Sequence, residues 1–223
     1  LMGDGGYQAV SAIIKASSAD ISGGLLKGGL FDMRTTGDLI GQGLQGKTQN
    51  LSINAGGLLD LSAIKQQYST SWNYGDEWGS ASQTSYTLTN LESTGDMSLI
   101  GGFVLGQGLS ASAGGMMDIY GAGGVYLGGV VNTRRGEAHT RSEYVDVDTE
   151  WMWQDVQKGS INGGGGVRVE SSEGRVIMQG LDVKSGAGIV LKGSGAGGVQ
   201  SLSLEVNRQI KEHVEIKGGD LLG

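Results

Sequence analysis

The residues of this chain that could do acid–base or metal chemistry are few and far apart. Only two histidines occur, His139 and His213, 74 positions apart (213 − 139), and there is no cysteine. A zinc site or a histidine-based catalytic triad requires further ligands or a nucleophile, and no companion can be identified for either histidine. Both histidines are therefore expected to be solvated. The absence of cysteine excludes disulfides, thiolate metal sites and cysteine nucleophiles.

A row of carboxylates could hold a hard cation. Asp146, Asp148 and Glu150 alternate with Val145, Val147 and Thr149, so they share one face of a strand. Carboxylate oxygens are the ligands that calcium prefers. Like charges on one strand face also repel each other and protect an exposed edge from aggregation. The second interpretation is the more usual one, so no metal site is predicted and the three carboxylates remain its weak candidates.

Two glycine-rich segments resemble nucleotide-binding loops only superficially. Residues 41–46 read Gly-Gln-Gly-Leu-Gln-Gly, but turn and strand residues follow where a dinucleotide fingerprint requires a helix. The run Gly163–Gly166 is not followed by the Gly-Lys-Ser/Thr of a phosphate-binding loop. Both segments are interpreted as turns, and no cofactor is predicted.

The aromatic residues are the best ligand-binding candidates that the sequence offers. All four tryptophans lie in two polar segments of the chain. Exposed aromatic side chains stack on sugar rings or anchor protein contacts. The alternative is that Trp151 and Trp153, in phase with Val145 and Val147, pack their strand against the core. The candidate contact residues are Trp72, Tyr74, Trp78, Trp151 and Trp153.

The composition limits the class of protein. The chain has 223 residues, 44 of them glycine and none proline, and a net charge of −7. That charge opposes nucleic-acid binding over most of the surface. Disorder is one interpretation of so much glycine, but short apolar segments recur between the glycines. No apolar run approaches the ~20 residues of a membrane-spanning helix. The chain begins with Leu1 and shows no basic segment followed by an apolar core, so we expect no signal peptide and expect the chain to be a piece of a longer protein.

Internal repeats are the strongest architectural signal. Val104–Gly121 aligns without gaps to Val176–Gly193, 72 positions later (176 − 104), and both copies contain Gln-Gly-Leu. Leu39–Leu44 begins a third copy, and its continuation, Asn54–Leu61, follows after an insertion. Repeats that keep glycine and apolar positions are typical of stacked units.

The strand pattern predicts the fold class. Three-to-five-residue apolar segments separated by glycine recur at similar intervals: Leu99 to Ile119 is 20 residues, Met97 to Met116 is 19, and Val167 to Ile189 is 22. A turn of about 20 residues with three short strands is one coil of a solenoid. We therefore predict an all-β, right-handed parallel β-helix with protruding antiparallel β-hairpin inserts.

The prediction divides one domain into coils and inserts. A capping helix over Tyr7–Ala19 is the alternative for the first segment, and a short helix over Asn207–Ile216 is the alternative for the last. The predicted segments are 1–35 (irregular or capping coils), 36–64 (coils), 65–92 (hairpin insert), 93–131 (coils), 132–162 (hairpin insert), 163–206 (coils) and 207–223 (start of a third insert).

The motifs of residues 36 to 223 resemble those of filamentous-haemagglutinin repeat proteins. The resembling phrases are TGDLIGQGL (36–44), LSINAGGLLDLSA (51–63), STGDMSLIGG (93–102) and LSASAGGMMDIYGAGGV (109–125). That family comprises large two-partner-secreted exoproteins of Gram-negative bacteria, including adhesins and contact-dependent growth-inhibition effectors. The resemblance implies a secreted or cell-surface rod, an outer-membrane secretion partner, and in some members a C-terminal toxin.

Two classes of function follow from these patterns. The first is a non-enzymatic structural or adhesive shaft segment whose hairpins contact a protein or glycan receptor of a host or neighbouring cell. The alternatives are a polysaccharide-degrading β-helix enzyme, with Asp96, Asp118 and Asp182 as scattered candidate carboxylates, and the repeating subunit of an extracellular filament that associates end to end.

Overall fold

The protein is built from β-strands. The structure, a computed structural model, describes residues 6–204 and 208–216. Within these ranges every regular element is a strand and no helix occurs, which confirms the predicted all-β class. Neighbouring strands are mostly parallel, as a β-helix-like architecture requires.

The strands form three sheets. An eleven-stranded sheet contains β1 (Gly6–Ala16), β3 (Leu25–Thr35), β5 (Gln45–Ala55), β9 (Thr89–Ser93), β10 (Met97–Gly101), β12 (Leu109–Ala113), β13 (Met116–Gly121), β17 (Gly159–Gly163), β18 (Gly166–Ser171), β20 (Leu181–Ser185) and β21 (Ile189–Gly193). A seven-stranded sheet contains β2 (Ala19–Asp20), β4 (Leu39–Ile40), β6 (Leu58–Asp60), β11 (Phe103–Gln107), β14 (Val125–Gly128), β19 (Val176–Gln179) and β22 (Val199–Leu202). A five-stranded sheet contains β7 (Ile64–Asn73), β8 (Glu77–Thr87), β15 (Val130–Arg141), β16 (Val145–Gln157) and β23 (Arg208–Ile216).

The chain divides into two compact units. The first, which we call the parallel unit, comprises the described residues of Leu1–Ile64, Thr87–Val130 and Gln157–Leu204. The second, the antiparallel unit, comprises those of Lys65–Tyr86, Val131–Val156 and Glu205–Gly223. The antiparallel unit is therefore assembled from three separate segments of sequence.

The strands of the parallel unit keep the same pairing register, whatever the length of the chain between them. Leu51, Met97, Met117, Val167 and Ile189 are successive partners on neighbouring strands. The steps between them are 46, 20, 50 and 22 residues (97 − 51, 117 − 97, 167 − 117 and 189 − 167). The two long steps contain the first two segments of the antiparallel unit, so these two segments are inserted without disturbing the parallel pairing.

The sequence repeats occupy equivalent positions in the sheets. Val104 and Val176 both pair with Val125. Leu109 on β12 and Leu181 on β20 lie on either side of β17 and pack in the same core. The predicted alignment of the two copies is thus confirmed. One spacing was wrong, because Met97 pairs with Met117 and not with Met116.

A left-handed glycine explains why Gln-Gly-Leu recurs. Gly43, Gly108 and Gly180 have φ of +63°, +72° and +56°, a region that disfavours side chains with a Cβ. The space is also filled: a Cβ on Gly108 would lie 2.8 Å from the Cβ of Ala63 and 2.9 Å from Cδ2 of Leu88. The turn between two sheets therefore requires glycine on two grounds.

A carboxylate links successive parallel strands at the Thr-Gly-Asp motifs. Asp96 accepts a hydrogen bond from the backbone N–H of Met116 at 2.8 Å, and Asp38 accepts one from Leu58 at 2.8 Å. The Asp96 oxygen occupies the place that a Cβ on Gly115 would need. This explains why a Gly-Gly pair follows each Thr-Gly-Asp motif by one repeat.

We expect Asp96→Ala to lower the free energy of unfolding by about 1–2 kcal/mol, because the charged acceptor of the Met116 N–H is lost. Asp182→Ala is the matched control, since it removes an exposed carboxylate paired with Lys158 at 3.3 Å and should change the free energy by about 0.5 kcal/mol or less. Urea unfolding of both variants measures the difference. Equal losses would contradict the linking role of Asp96.

The core is one continuous cluster inside the parallel unit. Its buried apolar residues extend along the chain from Ile21 to Met178. Small residues share this interior with large ones: Ala111 is buried, and its partners on the neighbouring strands are Leu91 and Ile161. Thr89 is buried in this unit and donates from Oγ1 to the carbonyl of Ser62 at 2.9 Å, which avoids the cost of a buried unpaired hydroxyl.

Both helical alternatives are wrong within the described residues. Gly6–Ala16 is a strand that pairs in parallel with β3, so the described part of the first segment, from residue 6 onward, is a regular part of the parallel unit; residues 1–5 lie outside the described residues. Arg208–Ile216 is a strand paired antiparallel with β16. Sheet pairing outweighs the weak helical periodicity in both places.

The predicted inserts extend too far at their carboxyl ends. Thr89–Ser93 falls largely inside the predicted insert 65–92, and Gly159–Gly163 falls largely inside 132–162, yet both are strands of the parallel unit. The reason is alternation: Thr89, Leu91 and Ser93 are buried while Asn90 and Glu92 are not. The polar letters of this segment conceal its inward-facing positions.

Candidate functional site

The antiparallel unit has two chemically different faces. Its strands follow the order β23-β16-β15-β8-β7, and side chains alternate across this sheet. Partners across strands fix the faces: Glu137 pairs with Ser80, and Gly136 pairs with Ala81. We call the first face the polar face and the second the aromatic face. The polar face carries Ser69, Ser71, Trp78, Ser80, Ser82, Arg135, Glu137, His139, Arg141, Asp146, Asp148, Glu150, Met152, Gln209 and Lys211.

A compact charged cluster lies on the polar face. His139 Nδ1 lies 2.7 Å from Asp148 Oδ1, and Arg141 Nη1 donates to the same oxygen at 2.8 Å. Arg141 Nε is 3.6 Å from Asp146. The His139 ring stacks on Trp78 with centroids 5.2 Å apart, and the Arg141 guanidinium lies 5.3 Å from the centre of the Trp78 ring. Ionic, stacking and cation–π contacts together order this corner of the sheet.

The cluster shifts the acidity of its central carboxyl group. The hydrogen bond from Arg141, followed by that from His139, lowers the pKa of Asp148 to about 2. The Asp148 hydrogen bond in turn raises the pKa of Arg141. The folded-state pKa of Asp148 lies below its ordinary value of 3.8. The pair therefore contributes fully to stability above that value, and the contribution is lost as pH falls through about 2.

We expect the Asp148 carboxylate to remain ionised until pH falls to about 2, and Arg141→Gln to move its titration toward 3.8. Carboxyl ¹³C chemical shifts measured during an acid titration report this directly. Arg135→Gln is the control, because Arg135 lies on the same strand but bonds to Ser82. A midpoint near 3.8 in the unchanged protein would show that the cluster does not form.

Two tryptophans on the aromatic face lie over glycines. A Cβ on Gly79 would collide with the Trp72 ring, and one on Gly136 would collide with the Trp151 ring. Trp151 and Trp153 also border a cavity of about 330 Å³ together with Tyr68. Bare backbone on β8 and β15 thus forms flat platforms on which the indole rings pack.

The structure separates the five predicted contact residues by environment. Trp72 and Trp151 pack on glycines, and Trp78 stacks on His139. Tyr74 and Trp153 are exposed over 79% and 46% of their surface. Tyr74 and Trp153 are thus the exposed members of the set, while the other three order their own sheet.

The three candidate metal ligands face different counter-charges. Asp146 and Asp148 face Arg141, which supplies their counter-charge, whereas Glu150 lies opposite Lys211 on β23. Among the described residues no group of three or more metal-binding side chains converges.

The carboxylates considered for polysaccharide cleavage lie apart. Asp96 binds a backbone N–H, and Asp182 pairs with Lys158. Asp118 lies on β13, where burial raises its pKa against the opposing effect of Arg168. The strands β13 and β20 are not neighbours in the sheet, so Asp118 and Asp182 are not cross-strand partners.

Sequence reasoning missed an open groove on the polar face. It has a volume of about 730 Å³, and all five strands of the antiparallel unit contribute to it. Serines at alternate positions, Ser69/Ser71 on β7 and Ser80/Ser82 on β8, line one half. That two-residue spacing was the available signal. Sequence reasoning also missed that His139 and His213 flank Asp148 on neighbouring strands.

Comparisons with known proteins supply no relative. The chain matches no protein-family model, and no curated protein or solved structure is significantly similar to it. The described residues also contain no helix with the length and apolar character of a membrane span. The function is therefore argued from the geometry of the two units.

Proposed function

We propose that this chain is a non-enzymatic shaft segment of a large secreted surface protein of a Gram-negative bacterium, and that its antiparallel unit contacts a partner. One observation carries the proposal: the parallel pairing resumes in register after each inserted segment, at Met97 and at Val167. An insertion that leaves the scaffold intact while building its own sheet is suited to presentation, because its surface can vary independently of the core.

The proposed shaft is a right-handed β-helix that carries β-hairpin inserts. The coils wind in the right-handed sense that parallel crossovers favour, and the inserted segments are β-hairpins. Two short connections support the hairpins: Tyr74 donates its N–H to the carbonyl of Glu77, and Ser142 donates to that of Val145. The third segment, β23, adds one strand to the sheet that the hairpins form.

The last strands of the parallel unit support its role as a segment. Val167 and Val176 are buried, but their partners on the next strands, Ile189 and Val199, are exposed over 47% and 39% of their surface. Unpaired strand edges with exposed inward-facing residues favour stacking of further strands. A further coil or a second copy placed end to end would cover them.

The resemblance to filamentous-haemagglutinin repeats sets the context of the proposal. In this context the parent protein crosses the outer membrane with a dedicated secretion partner, the receptor is a protein or glycan of a host or neighbouring cell, and a C-terminal toxin is delivered in some members. The Thr-Gly-Asp and Gly-Gly motifs support this context, because they make the contacts between strands that a long repetitive rod needs.

Binding of the labelled chain to cultured epithelial cells and to Gram-negative bacterial cells tests the proposal. We expect saturable binding to one of them, weakened about tenfold or more by Tyr74→Ser combined with Trp153→Ser, since exposed aromatic anchors dominate contact energies. Phe103→Ser is the control, because Phe103 is a 41% exposed aromatic residue of the parallel unit. Absence of saturable binding, or an equal loss with Phe103→Ser, would overturn the proposal.

A further inference from the structure

The groove on the polar face, which we call the furrow, runs between two rows of side chains. Cross-strand pairs place Ser82 beside Arg135 and Met152 beside Gln209 in one row. The next row, two residues further along each strand, is built in the same way. The first row consists of Ser69, Ser82, Arg135, Met152 and Gln209, and the second of Ser71, Ser80, Glu137, Glu150 and Lys211.

The backbone forms the floor of this furrow. Thr70, Ala81, Gly136 and Trp151 line it between the two rows, and the side chains of Thr70, Ala81 and Trp151 belong to the opposite face. The furrow crosses five strands, which corresponds to a length of roughly 19 Å at about 4.8 Å per strand, and its rows are roughly 7 Å apart. Its volume of about 730 Å³ lies in the range of ligand-binding sites.

We propose that this furrow binds a linear, uncharged oligosaccharide. The inference goes beyond the proposed presentation role, because the aromatic residues Tyr74 and Trp153 do not line the furrow. Serine hydroxyls both donate and accept hydrogen bonds, as sugar hydroxyls do. Glu137 and Glu150 add acceptors, and Arg135 and Lys211 add donors. Two positive and two negative side chains leave the furrow without net charge, which matches an uncharged ligand.

The hydrogen bonds already present position these groups. Ser80 donates from Oγ to Glu137 at 3.0 Å, and Arg135 donates from Nε to Ser82 at 3.1 Å. Each bond joins β8 to β15 within one row and uses only part of the hydrogen-bonding capacity of its partners. The remaining donors and acceptors point along a preformed track, so a ligand meets ordered groups.

Other ligand classes fit this furrow less well. An extended peptide gains affinity by pairing with an open strand edge, but the floor strands β8, β15 and β16 are interior to the sheet and already paired. Met152 is the one apolar side chain of the two rows, so an apolar ligand gains little. A polyanion meets two carboxylates in the furrow and a chain of net charge −7.

Serine is essential to this proposal because its small side chain leaves the furrow open. A tyrosine at position 80 would occupy the space above the floor strands. Gln83 lies on the same strand but on the aromatic face, paired with Arg134. Ser80→Tyr and Gln83→Tyr therefore add the same ring to opposite faces of β8, and they form a matched pair.

Calorimetric titration of the full chain with cellohexaose, chitohexaose, maltohexaose and a heparin hexasaccharide tests the inference. We expect one uncharged hexasaccharide to bind, with at least tenfold weaker binding after Ser80→Tyr and unchanged binding after Gln83→Tyr. Glu150→Gln provides a second variant that alters no volume and should weaken binding several-fold. Binding of heparin alone, binding of no hexasaccharide, or equal effects of the two tyrosine variants would overturn the inference.

The cell-binding assay separates this inference from the proposed function. If Ser80→Tyr leaves cell binding intact and no hexasaccharide binds, the furrow is not the site but the presentation role stands. If an uncharged hexasaccharide binds in the furrow while the chain binds no cell, the ligand class is right and the presentation role is wrong.

Discussion

Replacing Gly108 with alanine is expected to lower the free energy of unfolding by about 2–4 kcal/mol. A residue with a Cβ at φ of +72° costs roughly 1–2 kcal/mol. The added carbon must also displace Ala63 and Leu88, and overpacking of this kind costs about 1–3 kcal/mol. Urea unfolding followed by circular dichroism measures the loss.

Two other glycines separate the causes of that loss. Gly75 has φ of +80° with nothing close to the added carbon, so Gly75→Ala should cost roughly 1–2 kcal/mol from the backbone alone. Gly188 has neither a positive φ nor a close neighbour, and Gly188→Ala should be neutral or slightly stabilising. If Gly108→Ala is as mild as Gly188→Ala, the turn geometry assigned to the Gln-Gly-Leu motif is wrong.

Truncation of Leu109 is the second large effect that we expect. Leu109 is fully buried in the core of the parallel unit, and Leu109→Ala should lower the free energy of unfolding by about 2–5 kcal/mol, because the packed interior leaves a cavity. Thermal and urea unfolding both report the change.

Leu181 provides the matched comparison. It is the repeat partner of Leu109 and contacts the same core, but it is only partly buried on the last strands of the parallel unit. Leu181→Ala should therefore cost less than half as much as Leu109→Ala, since less apolar area is removed from the interior. A larger loss for Leu181 than for Leu109 would contradict the order of the strands.

The repeats made most of the parallel unit predictable from sequence. The alignment of Val104 with Val176, at an offset of 72 residues (176 − 104), predicted equivalent positions for the two residues, and both pair with Val125. This works because stacked strands impose the same inward and outward positions on every repeat. The positive φ of Gly43, Gly108 and Gly180 shows that each repeat also imposes the same left-handed backbone conformation on its turn residue.

Segments without a repeat were harder to predict. Arg208–Ile216 pairs with β16, about 60 positions earlier, and a sequence cannot show which partner such an isolated strand will choose. The first strand was missed because Gly6–Ala16 carries few of the motifs that mark later repeats. Local composition alone allowed a helix in both places.

The candidate site was only partly accessible to sequence reasoning. The aromatic residues were predicted as contact residues, but the furrow is lined by serines. A sequence does not show that β8 and β15 are neighbours, and only this pairing reveals the role of the serines. Likewise, the 74 positions between His139 and His213 (213 − 139) suggested isolation, but both lie beside Asp148 in the sheet. Proximity across strands is set by the fold and not by distance along the chain.

The central claim is that parallel pairing continues unchanged across both inserted segments. Interstrand nuclear Overhauser effects between backbone protons of uniformly labelled protein test it most directly. The account predicts contacts that join Ser52 to Ser98 and Asp118 to Arg168, two pairs separated by the insertions. Absence of either contact, or a far-ultraviolet spectrum dominated by α-helix, would contradict the claim.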